Sequence, residues 1–80
     1  MTNTVNQVTV STYRTQADYL FRVAGFFMTC RGREELANWK FSAELALSQA
    51  LVMSCSRAQP QDHKRMNDAV AAVRARMEQL

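Results

Sequence analysis

Apolar and polar side chains alternate with helical spacing throughout residues 34–57. This stretch, EELANWKFSAELALSQALVMSCSR, contains neither Gly nor Pro and is dominated by strong helix formers. Glu34 and Glu35 fall where a helix N-terminus favours negative charge, and Arg57 falls where a C-terminus favours positive charge. The pattern therefore predicts one long central helix over residues 34–57.

The apolar residues of this predicted helix do not stay on one face. Leu36, Trp39, Ala43, Ala46, Ala50 and Met53 form one stripe, and Phe41, Leu45, Val52 and Cys55 form a second. A helix that is apolar nearly all round must be buried nearly all round. A chain of 80 residues has few other elements with which to bury it. We therefore expect a second copy or a partner protein to complete the burial.

A helix is predicted on each side of the central one. The first covers residues 16–31, with Thr15 as its N-cap and Asp18 in its first turn. Arg31, Gly32 and Arg33 form the turn that follows, with Gly32 in the left-handed conformation. A continuous bent helix through this turn is the alternative.

The last helix is predicted over residues 61–79. Pro60 suits its first turn, where the missing N–H is harmless. Its apolar residues recur at spacings of four and three, which defines a narrow seam: Met66, Val70, Val73, Met77 and Leu80. Such a seam packs against one neighbour, most simply the central helix in an antiparallel hairpin.

Residues 1–12 form an N-terminal arm ahead of a single helical domain over residues 13–80. Val8 and Val10 alternate with Thr9 and Ser11, which indicates either a short strand or a loose arm. We predict an all-α fold of three helices with a C-terminal helical hairpin, and we expect it to be dimeric.

Composition excludes a disordered or loop-rich chain, because 48% of the residues are hydrophobic and only two are Gly and one Pro. The opening MTNTVNQ lacks the features of a secretory signal. The most apolar segment, residues 19–30, contains Arg22 and is too short to span a bilayer. We expect a cytoplasmic protein with no membrane segment, in which Cys30 and Cys55 are reduced, buried thiols. A disulfide between these two cysteines is the alternative.

No combination of residues indicates catalysis. His63 follows Asp62 in a polar helix start, which is typical of a surface histidine rather than a catalytic base. Cys30, Cys55 and His63 offer at most three ligands, whereas a zinc site uses four. There is no phosphate-binding loop. We expect no enzymatic activity, no cofactor and no metal.

DNA binding is the alternative function. The order strand, helix, Gly-containing turn and helix resembles a ribbon-helix-helix regulator, in which Gln7, Thr9 and Ser11 would face the bases. The net charge is +3, but residues 1–13 contain no Lys or Arg for phosphate or guanine contacts. A helix-turn-helix alignment on Gly32 places bulky Met28 where a small residue is needed. Nucleic acid is therefore the less favoured partner.

Protein binding accounts best for the surplus of apolar residues. Aromatic residues, Met and Arg dominate interface energetics. Any one aromatic residue could simply belong to the core, but three helices cannot cover all of them. The candidate contact residues are Tyr19, Phe26, Phe27, Trp39, Phe41 and Met53, with Arg31 and Arg33 at the rim.

The segments YRTQADYLFRVAGFFM and WKFSAELALSQALVM form helices without a catalytic signature. Across residues 12–80 the chain resembles the small helical early proteins of temperate Pseudomonas phages that inhibit host regulators, of the anti-quorum-sensing anti-activator type. The resemblance implies a dimeric inhibitor in the host cytoplasm. Its expected target is a host protein such as a LuxR-type transcriptional activator or an assembly factor.

Overall fold

Three helices make up most of the chain. The computed structural model describes residues 6–80, and 77% of them are helical. The helices are α1 (Val10–Phe26), α2 (Gly32–Leu51) and α3 (Pro60–Met77). The prediction of three helices is thereby confirmed, in a fold that is mostly helical rather than all-α because it also contains two short strands. The part of the predicted arm over residues 1–5 lies outside the described residues.

Helix α1 begins earlier than the sequence suggested. Its N-cap is Thr9, whose hydroxyl accepts a hydrogen bond from the backbone N–H of Thr12 at 3.1 Å. The prediction of Thr15 as the N-cap was therefore wrong. The β-branched residues at the start of α1 favoured a strand, but a capping hydroxyl at the right position outweighs that weak preference.

The turn between α1 and α2 contains the predicted left-handed glycine. Helix α1 ends at Phe26, and a short 3₁₀ turn (Phe27–Thr29) follows it. Gly32 has a φ of 84° and is the first residue of α2. The carboxylate of Glu35 accepts a hydrogen bond from the backbone N–H of Arg31 at 2.6 Å, which ties down the start of α2.

Helix α2 ends at Leu51 rather than at residue 57. After it, β2 (Met53–Ser54) pairs in parallel with β1 (Asn6–Gln7), with Asn6 opposite Met53. The N–H of Asn6 donates to the carbonyl of Val52 at 2.7 Å. The backbone groups that would have continued the helix are thus satisfied by a segment distant in sequence.

Helix α3 packs chiefly against α1 and only lightly against α2. The prediction of a hairpin between α2 and α3 was therefore wrong, and α1 rather than α2 is the central helix. Small residues explain why α3 packs on α1, because they let the backbones of these two helices approach closely along the narrow seam. The buried residues of this contact are Ala17, Leu20 and Ala24 of α1 with Met66, Ala69 and Val73 of α3.

Polar contacts flank this seam. Asp62, in the first turn of α3, is 8% exposed and accepts hydrogen bonds from Arg14 Nε at 2.9 Å and Nη2 at 3.2 Å. It also accepts from the backbone N–H of Gln59 at 3.0 Å. Further along, Arg65 pairs with Asp18 at 2.7 Å and stacks over the ring of Phe21 at 4.8 Å. These contacts fix the register of α3 on α1.

The Asp62 contacts make stability depend on acidic pH. The hydrogen bond from Arg14, and then that from the Gln59 N–H, hold the pKa of Asp62 below its ordinary value. The stabilisation is therefore complete above about pH 4, the pKa of an unfolded Asp, and is lost as pH falls through the lowered folded value. Asp62→Asn should lower the free energy of unfolding at pH 7 and remove this part of the acid dependence.

Urea unfolding at pH 7 and at acidic pH measures both effects. Asp68→Asn is the matched control, because Asp68 pairs with Lys64 on the exposed surface. Such a pair contributes only about 0.5 kcal/mol. Equal stability of the two variants at pH 7 would show that the Asp62 contacts do not hold α3 on α1.

Candidate protein-binding surface

Trp39 and Phe27 belong to the core of the protein. Trp39 is 5% exposed, and its Nε1–H donates to the carbonyl of Val23 at 2.6 Å. The ring of Phe27 is half-buried and meets Trp39 edge-on, with ring centroids 4.9 Å apart. These two predicted contact residues therefore fasten α2 to the end of α1.

The other predicted contact residues lie at the surface, but in different places. Phe41 is 70% exposed on α2, and Phe26 and Tyr19 are 53% and 38% exposed on α1. Met53 is half-buried in β2. Arg31 and Arg33 are exposed at the start of α2, away from the middle of that helix. The structure thus divides the predicted set among the core, the α1 and α2 surface, and β2.

The outer face of α2 carries an apolar stripe, which we define as Ala37, Phe41 and Leu45. These residues are four apart, so they share one face of the helix. The opposite face is buried and consists of Trp39 and Leu47 with three small residues, namely Ala43, Ala46 and Ala50. Leu45, 52% exposed, was not among the predicted contact residues. Its signal was present in the second apolar stripe of the sequence.

A groove runs between α1 and α2 beside this stripe. It consists of two hollows of about 380 and 390 Å³ that share Tyr19 and Ser42 in their walls. Phe26 and an edge of Trp39 line the first hollow, and Leu45 lines the second. We call this feature the α1–α2 groove. It brings together three of the predicted contact residues.

A second groove lies between the end of α2 and α3. Its volume is about 640 Å³, and Leu51, Met53 and Val70 contribute apolar walls. Arg74 and Glu78 lie at its edge, so this groove has a more polar lining than the α1–α2 groove. Of the predicted contact residues, it contains Met53 alone.

A cluster of ionisable side chains joins α1 to α3. Tyr13 Oη lies 3.0 Å from His63 Nδ1, next to the pair of Arg14 and Asp62. Burial raises the pKa of Tyr13, the nearby Cys55 and Asp62 raise it further, and the phenol stays protonated. The hydrogen bond to Asp62 raises the pKa of Arg14. Each group is thus engaged with another across the α1–α3 contact.

The other possible metal ligands and the two thiols do not come together in the described part of the chain. Within residues 6–80, no three His, Cys, Asp or Glu side chains lie together as metal ligands. Cys30 is half-buried and Cys55 is buried, and both are free thiols. In the same part of the chain, no helix is long and apolar enough to cross a membrane.

The residues that a DNA-binding ribbon would use to contact bases do not form such a ribbon in this structure. Thr9 caps α1 and Ser11 is inside that helix, so neither is in a strand. Gln7 is in β1, but its side chain donates to the hydroxyl of Ser54 at 3.1 Å. Of the basic residues on α3, Lys64 and Arg65 are each paired with an aspartate.

Comparison of the chain with protein-family models, curated proteins and solved structures finds no match. The surface of the molecule therefore provides the indications of function. That surface has three features: the apolar stripe of α2, the α1–α2 groove with its aromatic side chains, and the more polar groove between the end of α2 and α3.

Substitution separates the core aromatic residues from the surface ones. Trp39→Ala should lower the free energy of unfolding by about 3–5 kcal/mol, because it leaves a cavity beside Val23 and Phe27. Phe26→Ala should lower the free energy of unfolding by about 1 kcal/mol or less, because about half of this side chain is already exposed to water. Chemical denaturation followed by circular dichroism measures both. Similar losses for the two variants would contradict the assignment of Trp39 to the core.

Proposed function

We propose that this chain is a non-enzymatic protein-binding module and that its α1–α2 groove receives an amphipathic helix of another protein. The observation that carries the proposal is the pair of partly exposed aromatic side chains, Tyr19 and Phe26, along the two hollows. Recognition of a helix in an apolar groove is a recurring mode of protein association. Aromatic residues beside such grooves often supply most of the binding energy.

The dimensions of the groove suit a short helix. Its wall on α1 extends from Thr15 to Thr29, which corresponds to roughly 20 Å at the rise of an α-helix. About four turns of a partner helix match that length. Ser42 and Ala46 in the wall are small, so the partner's backbone can approach closely.

Charges of opposite sign in the two hollows give the groove a direction. Arg22 lines one hollow and Glu35 lines the other. Arg22 forms no ion pair within residues 6–80. A partner helix with an acidic residue near Arg22 and a basic residue near Glu35 would therefore bind in one orientation.

The proposed target is a host regulator, such as a LuxR-type transcriptional activator, or an assembly factor. This part of the proposal is supported by the sequence resemblance over residues 12–80. Inhibition would require no chemistry, because a module that covers one helix of a regulator competes with the normal contacts of that helix. DNA binding has less support, because the ribbon residues are occupied in capping α1 and in pairing with β2.

The groove proposal is tested with a double variant, Tyr19→Ala with Phe26→Ala. Removing two aromatic anchors should weaken binding of a partner captured from host lysate by roughly 30-fold or more. The partner is first identified with the parent protein and then purified for calorimetric titration. Circular dichroism verifies that the variant remains folded.

Met28→Ala is the matched control, because Met28 is 68% exposed and lines neither hollow. It should bind like the parent. If the groove variant also binds like the parent, the groove is not the binding site. Micromolar binding to duplex DNA that weakens steeply with salt would instead favour the nucleic-acid alternative.

A further inference from the structure

We propose that the apolar stripe of α2, Ala37, Phe41 and Leu45, packs against the same stripe of a second copy of this chain. The two α2 helices would run antiparallel about a two-fold axis near residues 42 and 43. This inference does not depend on the α1–α2 groove being a binding site. It assigns the expected dimer contact to the outer face of α2. Leu45 at the edge of that face also lines one hollow of the α1–α2 groove, whereas Tyr19 and Phe26 lie outside the stripe.

The stripe has the composition of a contact surface. Phe41 is the most exposed large hydrophobic residue among those described. An aromatic side chain presents about 150–250 Å², so Phe41 at 70% exposure leaves well over 100 Å² in water. Leu45, 52% exposed, and Ala37 extend this apolar surface along the helix.

Charges beside the stripe favour a second copy. Lys40 and Glu44 lie on the same flank of the stripe, four residues apart, and both are exposed. Among the described residues, neither forms an ion pair. The flank therefore carries a positive charge followed by a negative charge. When a second copy runs in the opposite direction, its negative charge lies beside the positive charge of the first copy, and its positive charge beside the negative one.

The charge order also selects the orientation. In an antiparallel two-fold pair, Lys40 of each copy lies opposite Glu44 of the other, which gives two symmetric attractions. Phe41 of each copy then packs beside Leu45 of the other. In a parallel two-fold pair, this flank would instead lie against the opposite flank of the other copy, where the exposed residues Asn38 and Gln49 carry no charge, so neither attraction would form. The antiparallel arrangement is the one that satisfies both the apolar stripe and its flank.

The area of the contact sets its strength. Helix α2 has 20 residues, so its outer face is about 30 Å long and 10 Å wide. Such a face covers on the order of 300 Å², about half of the ≈600 Å² per partner found in the smallest specific interfaces. We therefore expect a reversible dimer with micromolar affinity.

Charge exchange provides a sharp test. Lys40→Glu makes both flank positions acidic, and Glu44→Lys makes both basic. Each variant alone should dimerise about tenfold more weakly than the parent, since two attractions become two repulsions. An equimolar mixture of the two variants should form a heterodimer, because opposite charges then face each other at both contacts. Sedimentation equilibrium from about 5 to 200 µM covers the micromolar range expected of such a contact.

A second variant tests the apolar stripe. Phe41→Ser with Leu45→Ser should leave a folded single chain, and the surface substitution Met28→Ser should leave the dimer intact. The inference is overturned if the parent is a single chain throughout this range. It is also overturned if the parent dimer is unaffected by loss of Phe41 and Leu45. The same holds if an equimolar mixture of the two charge variants dimerises no better than either variant alone.

Discussion

The close packing of α1 on α3 is the contact on which the rest of the structure depends. Small buried residues on both helices, Ala17 and Ala24 on α1 and Ala69 on α3, allow the backbones to come together along a narrow seam. The buried carboxylate of Asp62 closes one end of the seam through Arg14 and starts α3 through Gln59. Since α1 uses one side for α3, its other side is left for α2.

This arrangement explains why α2 is covered on one side only. The three helices form a flat arrangement, 18 Å in its thinnest direction, and α2 keeps an exposed outer face. Trp39 fastens α2 to α1, and the alanines on the same face allow a close approach. Phe41 and Leu45 consequently point away from the core. Phe41 and Leu45 remain exposed although Trp39, Leu47 and three alanines already cover the inner face, and this is what makes α2 a candidate for interaction.

Local features of the fold were predictable from the sequence. Gly32 has the predicted left-handed conformation, and Pro60 begins α3 with Asp62 in its first turn. These features depend on neighbouring residues, which a sequence shows directly. Three of the predicted contact residues, Tyr19, Phe26 and Trp39, line the same groove, although Trp39 does so only by an edge of a buried ring.

Features that depend on distant residues were not predictable in the same way. The end of α2 is set by pairing of Met53 with Asn6, and helical periodicity contains no information about that pairing. The choice of α1 as the partner of α3 depends on small residues on both helices and on Asp62 meeting Arg14. Periodicity identified the apolar residues of α2 but could not tell which stripe faces inward, because both have helical spacing.

The central claim is that α2 presents one apolar face to the core and the other to water or to a partner. Hydroxyl-radical footprinting at low protein concentration measures this at single residues, with each rate normalised to the intrinsic reactivity of the side chain. We expect strong labelling of Phe41 and Leu45 and strong protection of Trp39 in the same molecules. Protection of Phe41 together with labelling of Trp39 in a folded single chain would contradict it.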